Sequence, residues 1–325
     1  MIWAVSDGRS GIENQALGLA EAVARLSPAL LGREAEVVVK RIAWKGRLGR
    51  LPSVLKLFPR RMLDPAADPI EAPWPDVWIA AGRATLALSM RMRSWSRKQS
   101  LVVQIQDPHL PPGLFDLVLP PQHDRVAGDN VVSLIGSPHR ITAERLASER
   151  ARFKEKLDPL QGPVAAVLIG GKSKAFDLTP ARAAVLAREI EFGLTEAGAS
   201  LLMTFSRRTP EAAKAMLTAR LGDQPGWIWD GQGDNPYFAF VAAADWLLVT
   251  EDSINMAAEA ASTGKPVFIL RLDGQSLRIR RFHEALEAMG AARPFGGGFH
   301  RWTYTPLNET DRAAREVLAR LKARD

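Results

Sequence analysis

Residues 249–270 read VTEDSINMAAEAASTGKPVFIL. An apolar run ends at two carboxylates, Glu251 and Asp252. A stretch of small residues follows, which contains the carboxylate of Glu259 and ends at a Gly-Lys-Pro turn. A second apolar run comes after the turn. This order predicts a strand, a helix that begins near Ser253 and another strand, which together form one unit of a parallel α/β sheet. Helix capping is one explanation for acidic and hydroxyl side chains at such a position. Ligand binding where the strand ends is the other.

The same alternation of short apolar runs and helix-length amphipathic segments extends along the whole chain. The runs are rich in Val, Ile and Leu, as strands covered on both faces are. We predict strands at 2–7, 35–42, 76–82, 100–107, 116–121, 130–136, 164–171, 200–206, 226–231, 245–251 and 266–271. We predict helices near 12–26, 83–96, 143–156, 179–197, 210–221, 235–244, 253–263, 276–289 and 307–323.

A chain of 325 residues, 46% of them apolar, suits two packed domains. The alternation restarts after the turn-rich stretch DPLQGP at 158–163. We therefore predict two Rossmann-like, doubly wound parallel-sheet domains, 1–150 and 151–325, that face each other across a cleft. The last helix could pack back on the first domain.

The composition also limits the cellular context. The chain has no cysteine, which excludes disulfides and thiolate chemistry and favours a reducing compartment. The start, MIWAVSDG, enters a strand directly, and no apolar stretch approaches the roughly 18 residues of a membrane span. We therefore expect a cytoplasmic protein that at most lies on the inner face of a membrane.

The formal net charge is +7, and part of the excess is concentrated in one segment. Residues 37–63 contain no acid, while basic residues alternate with apolar ones from Lys40 to Arg61. Such a segment can lie on an anionic bilayer or bind a phosphate-bearing ligand. A solvated Arg-rich surface is the alternative. No nucleic-acid motif accompanies the charge, so we do not expect a nucleic-acid partner.

Ligands of doubly wound sheets bind beyond the carboxyl ends of the strands. The strand ends of this chain are polar and rich in Gly, and they supply two sets of predicted binding residues. In the first half these are Gly8, Arg9, Gly11, Asn14, Gln15, Gly82, Arg83 and Gln106. In the second half they are Gly170, Gly171, Lys172, Ser173, Ser206, Arg207, Arg208, Asp230, Glu251, Asp252, Ser253, Asn255, Met256 and Glu259.

The second set suits a sugar joined to a diphosphate. Backbone N–H groups at Gly170, Gly171 and the helix start near Ser253 could hold the diphosphate, since such groups bind anions. Glu259 could accept hydrogen bonds from a ribose diol, and Glu251 could reach the sugar. Arg207 and Arg208 could stabilise the leaving diphosphate.

Three familiar nucleotide signatures are absent. The end of a phosphate-binding loop is similar to the stretch AVLIGGKS, but Ala166 occupies the place of the first Gly that the loop requires. DGRSGIENQALG lacks the spacing G-x-G-x-x-G of a dinucleotide site. There is no Asp-x-Asp pair and no zinc-ligand spacing, so we expect no metal and no cofactor beyond a nucleotide co-substrate.

The segment 249–270, with its Glu-x7-Glu spacing, resembles the donor-site segment of glycosyltransferases of the GT-B fold. The wider chain resembles bacterial relatives of the plant mitochondrial-fission "elongated mitochondria" family, through SDGRSGIENQALGLAEAV, AAGRATLAL, VQIQDP, IGGKSKAFDL, MTFSRRTP and NPYFAFVAAADWLLVTEDS. The resemblance implies a nucleotide-sugar cleft between two Rossmann-like domains. Plant members are similar to adaptors that recruit a dynamin-type protein, whereas bacterial members look like sugar transferases.

The resulting hypothesis is a metal-independent glycosyltransferase of cell-envelope synthesis that moves a sugar from a nucleotide diphospho-sugar to an acceptor, which a lipid could carry. Asp7 is a candidate general base, as are Asp107 and His109, because deprotonating a hydroxyl needs a carboxylate or imidazole within reach. A non-catalytic adaptor with the same fold is the alternative, and an epimerase or reductase that uses a nicotinamide dinucleotide is a third. Glu-x7-Glu is a feature of retaining enzymes, but the first-domain loop resembles the acceptor loop of inverting ones, so the stereochemistry stays open.

Overall fold

The computed structural model describes residues Met1–Arg324, which form two compact units. Unit 1 comprises Met1–Arg140 and the chain from Asn308 onward, and unit 2 comprises Ile141–Leu307. The predicted boundary at 150/151 falls inside the helix Ala143–Arg152. That helix packs against the helix Tyr237–Ala243 of unit 2, so the chain changes unit before the helix begins.

Short strands alternate with helices throughout both units. The strands are β1 (Ile2–Ser6), β2 (Val37–Arg41), β3 (Val77–Ala81), β4 (Leu101–Ile105), β5 (Leu117–Leu119), β6 (Val164–Ile169), β7 (Phe176–Asp177), β8 (Ser200–Phe205), β9 (Gly226–Ile228), β10 (Trp246–Thr250), β11 (Val267–Leu270), β12 (Asp273–Gly274) and β13 (Ala292–Pro294). The helices are α1 (Ser10–Leu31), α2 (Leu86–Trp95), α3 (Ala143–Arg152), α4 (Lys154–Leu157), α5 (Pro180–Ala197), α6 (Glu211–Leu221), α7 (Tyr237–Ala243), α8 (Ile254–Ala261), α9 (Leu277–Ala288) and α10 (Glu309–Lys322).

Unit 1 is built on a parallel five-stranded sheet with the strand order β2-β1-β3-β4-β5. Helices α1 and α10 supply apolar side chains to the core on one face of this sheet. On the other face, Trp3, Trp78 and Met92 belong to a second core with the apolar side of α2. Strands β1, β3, β4 and β5 are buried on both faces, which explains why they read as largely apolar runs. The edge strand β2 is only partly buried and ends in Lys40 and Arg41.

The strand predicted at 130–136 is wrong. This stretch meets β5 and the residues after it only at two isolated bridges, Val118 with Val131 and Pro121 with Leu134. Pro120 and Pro121 have no N–H to donate, so a continuous ladder cannot form beyond β5. The segment therefore pairs intermittently without becoming a strand.

Unit 2 contains a parallel six-stranded sheet with the order β13-β11-β10-β6-β8-β9. Helices α5 and α6 supply much of the core on one face. The edge strand β13 was not predicted, because its three residues include Arg293 and Pro294 and give no apolar run. The small antiparallel pair of β7 and β12 was not predicted either. The helix predicted at 143–156 is interrupted at Phe153.

In the described part of the chain, no helix combines the length and apolarity needed to cross a bilayer.

Gly18 of α1 lies against the backbone of His139 in unit 1. A Cβ at residue 18 would be 2.3 Å from the carbonyl oxygen of His139. Gly to Ala normally stabilises a helix by about 1 kcal/mol, but here backbone would have to move. We predict that Gly18→Ala destabilises the protein by about 2 kcal/mol or more in urea unfolding.

Gly113→Ala is the matched control in the same unit. No atom lies within 4 Å of the added methyl group, so its effect should stay within about 0.5 kcal/mol. Equal stability of the two variants would show that α1 does not depend on this close approach.

Candidate functional site

Each of the two parallel sheets has a point at which the strand order reverses. In unit 1, β2 lies on one side of the neighbouring strands β1 and β3, and β4 lies on the other, so the connections that follow β1 and β3 run in opposite directions. In unit 2 the connections that follow the neighbouring strands β6 and β10 diverge in the same way. Loops that diverge in this way leave a crevice at the carboxyl ends of the two strands. The predicted residues after β1, β3, β6 and β10 therefore lie at these two crevices, each within its own unit.

The amide cradle that we predicted after β6 is not available in this structure. All four backbone N–H groups of 170–173 already donate to protein acceptors: Thr250 Oγ1 at 2.7 Å, Asp252 Oδ2 at 3.2 Å, the Arg208 carbonyl at 3.0 Å and the Phe176 carbonyl at 2.9 Å. The prediction failed because a backbone N–H group binds an anion only where no neighbouring side chain or carbonyl takes it first.

Asp252 occupies the position that a bound anion would take beside Gly171. Its Oδ2 accepts from the Gly171 amide and lies 2.7 Å from a guanidinium nitrogen of Arg208. Burial raises the pKa of the Asp252 carboxyl, while Arg208 opposes that shift. The contact holds Arg208 beside the crevice with nearly half of its side chain exposed.

Glu251 and Ser253 have structural partners. The carboxylate of Glu251 accepts from the Leu272 amide at 2.5 Å and from Arg271 at 3.1 Å, and it thereby joins the end of β10 to the segment after β11. Nε2 of His283 donates to the Glu251 carbonyl at 2.8 Å. Ser253 is the N-cap of α8, where its Oγ accepts from the Met256 amide. Capping thus accounts for Ser253, whereas Glu251 acts as a bridge.

Glu259 differs from the other two glutamate and aspartate side chains at this edge. It is buried in α8, and its Oε2 accepts a short hydrogen bond from the Tyr237 hydroxyl. Among the described residues, no cation pairs with this carboxylate. Burial raises the pKa of Glu259 to about 7, although the Tyr237 hydrogen bond opposes this shift.

Tyr237 was not among the predicted site residues. It begins α7, and its ring packs edge-on against Phe238 with centroids 5.4 Å apart. The stretch NPYF shows that a helix starts here, but it does not show that the hydroxyl reaches a residue 22 positions further along the chain.

The remaining predicted residues of unit 2 are less concentrated. Lys172 pairs with Asp177 at 3.3 Å on the surface, and Ser206 donates to the Gly170 carbonyl at 2.8 Å. Arg207 is exposed, and Asn255 lies in the first turn of α8. Asp230 follows β9, which lies two strands and therefore about 10 Å from β6, so the structure does not bring it to the crevice.

The crevice of unit 1 opens into a cavity of about 590 Å³. Four predicted residues line it, namely Asp7, Arg9, Arg83 and His109, and so do residues of the segment 49–56. The other predicted residues of this unit support the same edge. Gln106 donates to Gln15 at 3.0 Å, Gly8 and Gly82 adopt positive φ, and Gly11 and Asn14 belong to the start of α1.

An ion pair and a histidine–carboxylate contact engage the two aspartates of this crevice. Nε of Arg9 donates to Asp7 at 2.8 Å, whereas Nδ1 of His109 lies 2.8 Å from the Asp107 carboxylate. His109 has φ of +51°, a conformation that costs a non-glycine residue about 1–3 kcal/mol. Asp107 stabilises it by accepting from the His109 amide at 2.7 Å. A second ion pair at this edge, Arg41 with Glu13, was not predicted.

Within residues 1–324, no three His, Asp or Glu side chains come together as a group that could hold a metal ion.

The raised pKa of Glu259 predicts a pH dependence of stability. Between about pH 4.5 and 7 the folded protein keeps a proton that the unfolded chain has lost, so this residue lowers stability as the pH rises. We predict that Glu259→Gln gains stability relative to the unaltered protein across this range, by about 3 kcal/mol at pH 8. Urea unfolding at pH 4.5, 6 and 8 measures the difference.

Glu284→Gln serves as the control, because Glu284 lies on the surface of α9. Its stability relative to the unaltered protein should not change with pH by more than about 0.5 kcal/mol. If the Glu259 difference is as flat as that of Glu284, burial does not raise the Glu259 pKa.

Comparisons with solved structures concern the fold. UDP-GlcNAc 2-epimerase from Methanocaldococcus jannaschii superposes with a TM-score of 0.58 and 12% identity, covering 100% of both chains. Os79 from O. sativa in complex with UDP gives a TM-score of 0.50 and 13% identity, covering 98% of this chain and 94% of that one. These likenesses confirm the predicted GT-B-like class of two Rossmann-like units.

Comparisons of sequence identify the family. The family described as mitochondrial fission ELM1 matches residues 10–321. The mitochondrial fission protein ELM1 of Arabidopsis thaliana is 30% identical over 314 residues, covering 86% of this chain and 71% of that protein. An uncharacterised protein of Rickettsia prowazekii is 27% identical over 366 residues, covering 99% of this chain and 98% of that protein. The chain therefore belongs to the mitochondrial fission ELM1 family, as its motifs predicted.

Proposed function

We propose that this protein is a metal-independent glycosyltransferase that moves a sugar from a nucleoside diphospho-sugar to an acceptor hydroxyl. The observation that carries the proposal is the buried carboxylate of Glu259, which no cation neutralises among the described residues. A buried carboxylate is costly unless cations or several donors surround it. Glu259 has one neutral donor, the Tyr237 hydroxyl, and no cationic partner among the described residues. A ribose diol supplies two hydroxyl donors, which is what this carboxylate lacks.

Side-chain cations rather than amides would hold the diphosphate. Asp252 fixes Arg208 beside the carboxyl end of β6, and no other carboxylate of the described residues pairs with this guanidinium, so it can also bind an anion. A guanidinium placed where charge develops on the leaving diphosphate lowers the barrier of sugar transfer. Asp252 acts through Arg208 in this scheme.

His109 is the best placed general base of the three candidates. The carboxylate of Asp107 fixes the imidazole through Nδ1, which leaves Nε2 to accept a proton from an acceptor hydroxyl. The carboxylate of Asp7 is instead engaged by the guanidinium of Arg9. We therefore assign deprotonation of the acceptor to His109, with Asp107 orienting it.

Neighbours and relatives bear on the two main hypotheses differently. Solved structures with this fold include an epimerase bound to UDP-GlcNAc and UDP and the protein Os79 bound to UDP, which supports a nucleotide-sugar ligand. The Arabidopsis relative is named for mitochondrial fission. A non-catalytic adaptor requires no buried, unpaired carboxylate at the crevice, so we favour the enzyme.

Nucleotide binding distinguishes these hypotheses. We predict that at least one of UDP, GDP, ADP, CDP and dTDP raises the melting temperature, because a ligand that binds only the folded state stabilises it. Glu259→Gln should weaken that nucleotide about tenfold or more, since one charged acceptor is lost. The same titration of Glu284→Gln is the control and should match the unaltered protein.

A folded protein that responds to none of these nucleotides would favour the adaptor. A response to nicotinamide dinucleotides alone would instead favour a reductase or epimerase.

We further propose that unit 1 binds an anionic membrane surface through the segment 51–58. Five large apolar side chains are exposed within these eight residues: Leu51 at 38%, Val54 at 54%, Leu55 at 59%, Leu57 at 60% and Phe58 at 67%. Short 3-10 turns bearing basic residues such as Arg47 and Arg61 flank them. Exposed apolar groups beside cations suit the interface of an anionic bilayer.

Vesicle flotation tests this contact. We predict that the double change Leu55→Ser and Phe58→Ser reduces binding to vesicles containing phosphatidylglycerol at least tenfold, because each side chain would bury apolar area in the interface. Phe192→Ser is the control, since Phe192 is 60% exposed in unit 2. Binding that survives the double change, or that Phe192→Ser abolishes equally, would contradict the proposal.

A further inference from the structure

The cavity of unit 1 has a strongly unequal charge. Four basic residues, Arg9, Arg50, Lys56 and Arg83, line it but only one acid does, Asp7. Asp7 is already paired with Arg9, whose Nε and a terminal nitrogen lie 2.8 and 2.7 Å from it. The charge of the remaining lining is therefore carried by three cations.

None of these three cations has an ion-pair partner within residues 1–324. No carboxylate of the described residues lies within 4.0 Å of the charged nitrogens of Arg50, Lys56 or Arg83, although many other arginines pair with carboxylates. Three uncompensated cations around one cavity repel each other, and an anion bound between them would relieve that repulsion.

Lys56 makes the strongest case for a built anion site. It is 5% exposed, and its ammonium donates to the Leu51 carbonyl and lies 4.9 Å from the centre of the Trp44 ring. Burial lowers the pKa of this lysine. An ammonium group has three N–H donors, and a single carbonyl with an aromatic face does not replace its lost hydration.

Apolar residues also line the same cavity. Among them are Leu51 and Val54, which are exposed residues of the segment 51–58. A ligand whose phosphate contacts the cations can therefore continue along an apolar surface. The ligand that fits both features joins a phosphate to a hydrocarbon chain.

We propose that this cavity binds the phosphate of an amphiphilic acceptor, a lipid whose phosphate lies between Arg50, Lys56 and Arg83. The site would hold the acceptor hydroxyl near His109, which lines the same cavity. The identification of the ligand as an acceptor rests on the glycosyltransferase proposed above, whereas the anion site itself does not.

Calorimetric titration with three probes tests the site on the complete protein. Dihexanoylglycerol phosphate below its micelle concentration should bind, inorganic phosphate should bind at least tenfold more weakly, and neutral dihexanoylglycerol should give no measurable heat. Lys56→Met and Arg83→Gln should each weaken the lipid phosphate about tenfold or more. The ³¹P resonance of the lipid phosphate should shift when the lipid binds the unaltered protein, and this shift should be absent with the same two variants.

Arg91→Gln is the matched control, because Arg91 is an exposed residue of α2 outside the cavity. It should bind the lipid phosphate as the unaltered protein does. If Lys56→Met unfolds, Arg83→Gln still decides, since Arg83 is exposed and its removal leaves no buried group unpaired.

Two results would overturn the inference: equal affinity for the lipid phosphate in Arg83→Gln and Arg91→Gln, or equal affinity of the unaltered protein for inorganic phosphate and for the lipid. Nucleoside diphosphate binding, measured on the same samples, separates this inference from the proposed function. If the protein binds a nucleotide but not the lipid phosphate, the result contradicts the proposed lipid-phosphate site and leaves the proposed glycosyltransferase unaffected. If the protein binds the lipid phosphate but no nucleotide, the result supports the anion site and contradicts the proposed glycosyltransferase.

Discussion

The reversal of strand order in each sheet is the constraint on which the rest of the structure depends. Parallel strands end at one edge of a sheet, and loops that diverge from two neighbouring strands cannot fill the space between them. In unit 1 this happens between β1 and β3, and in unit 2 between β6 and β10. Polar groups within each unit are therefore gathered from segments far apart in sequence, around cores that bury every residue of those strands.

The acids at the edge of unit 2 show how similar residues acquire different roles. The carboxylate of Glu251 accepts from Leu272 and Arg271, and that of Asp252 pairs with Arg208 and accepts from the Gly171 amide. Both contribute to the architecture of the crevice, since removing a partner would leave a buried charge uncompensated. Glu259 is buried with one neutral donor. The energetic cost of that arrangement is explained if a ligand completes its hydrogen bonding.

Much of the fold could be predicted from sequence, because apolar runs of five or six residues with polar ends specify buried parallel strands. The failures have physical causes. Proline after β5 prevented a strand at 130–136, and β13 is too short and too polar to give a run. The predicted strand ends located the loops that form the two crevices. They did not show which residues hydrogen-bond to the polar side chains and backbone amides of those loops. The sequence spacing of Glu251 and Glu259 predicts that both lie at the same edge of the sheet. It does not reveal that Arg271 donates to the Glu251 carboxylate or that Tyr237 donates to the Glu259 carboxylate. The buried ammonium of Lys56 was likewise invisible in a segment that reads as a basic surface.

The most direct measurement is the pKa of Glu259, followed through the ¹³C shift of its side-chain carboxyl carbon with and without a nucleoside diphosphate. The free protein should titrate near pH 7 at this carbon. A ribose diol donating to the carboxylate stabilises its charged form, so saturation with nucleotide should lower the pKa by about one pH unit or more. An unchanged Glu259 pKa in a protein that other resonances show to be fully bound would contradict the account.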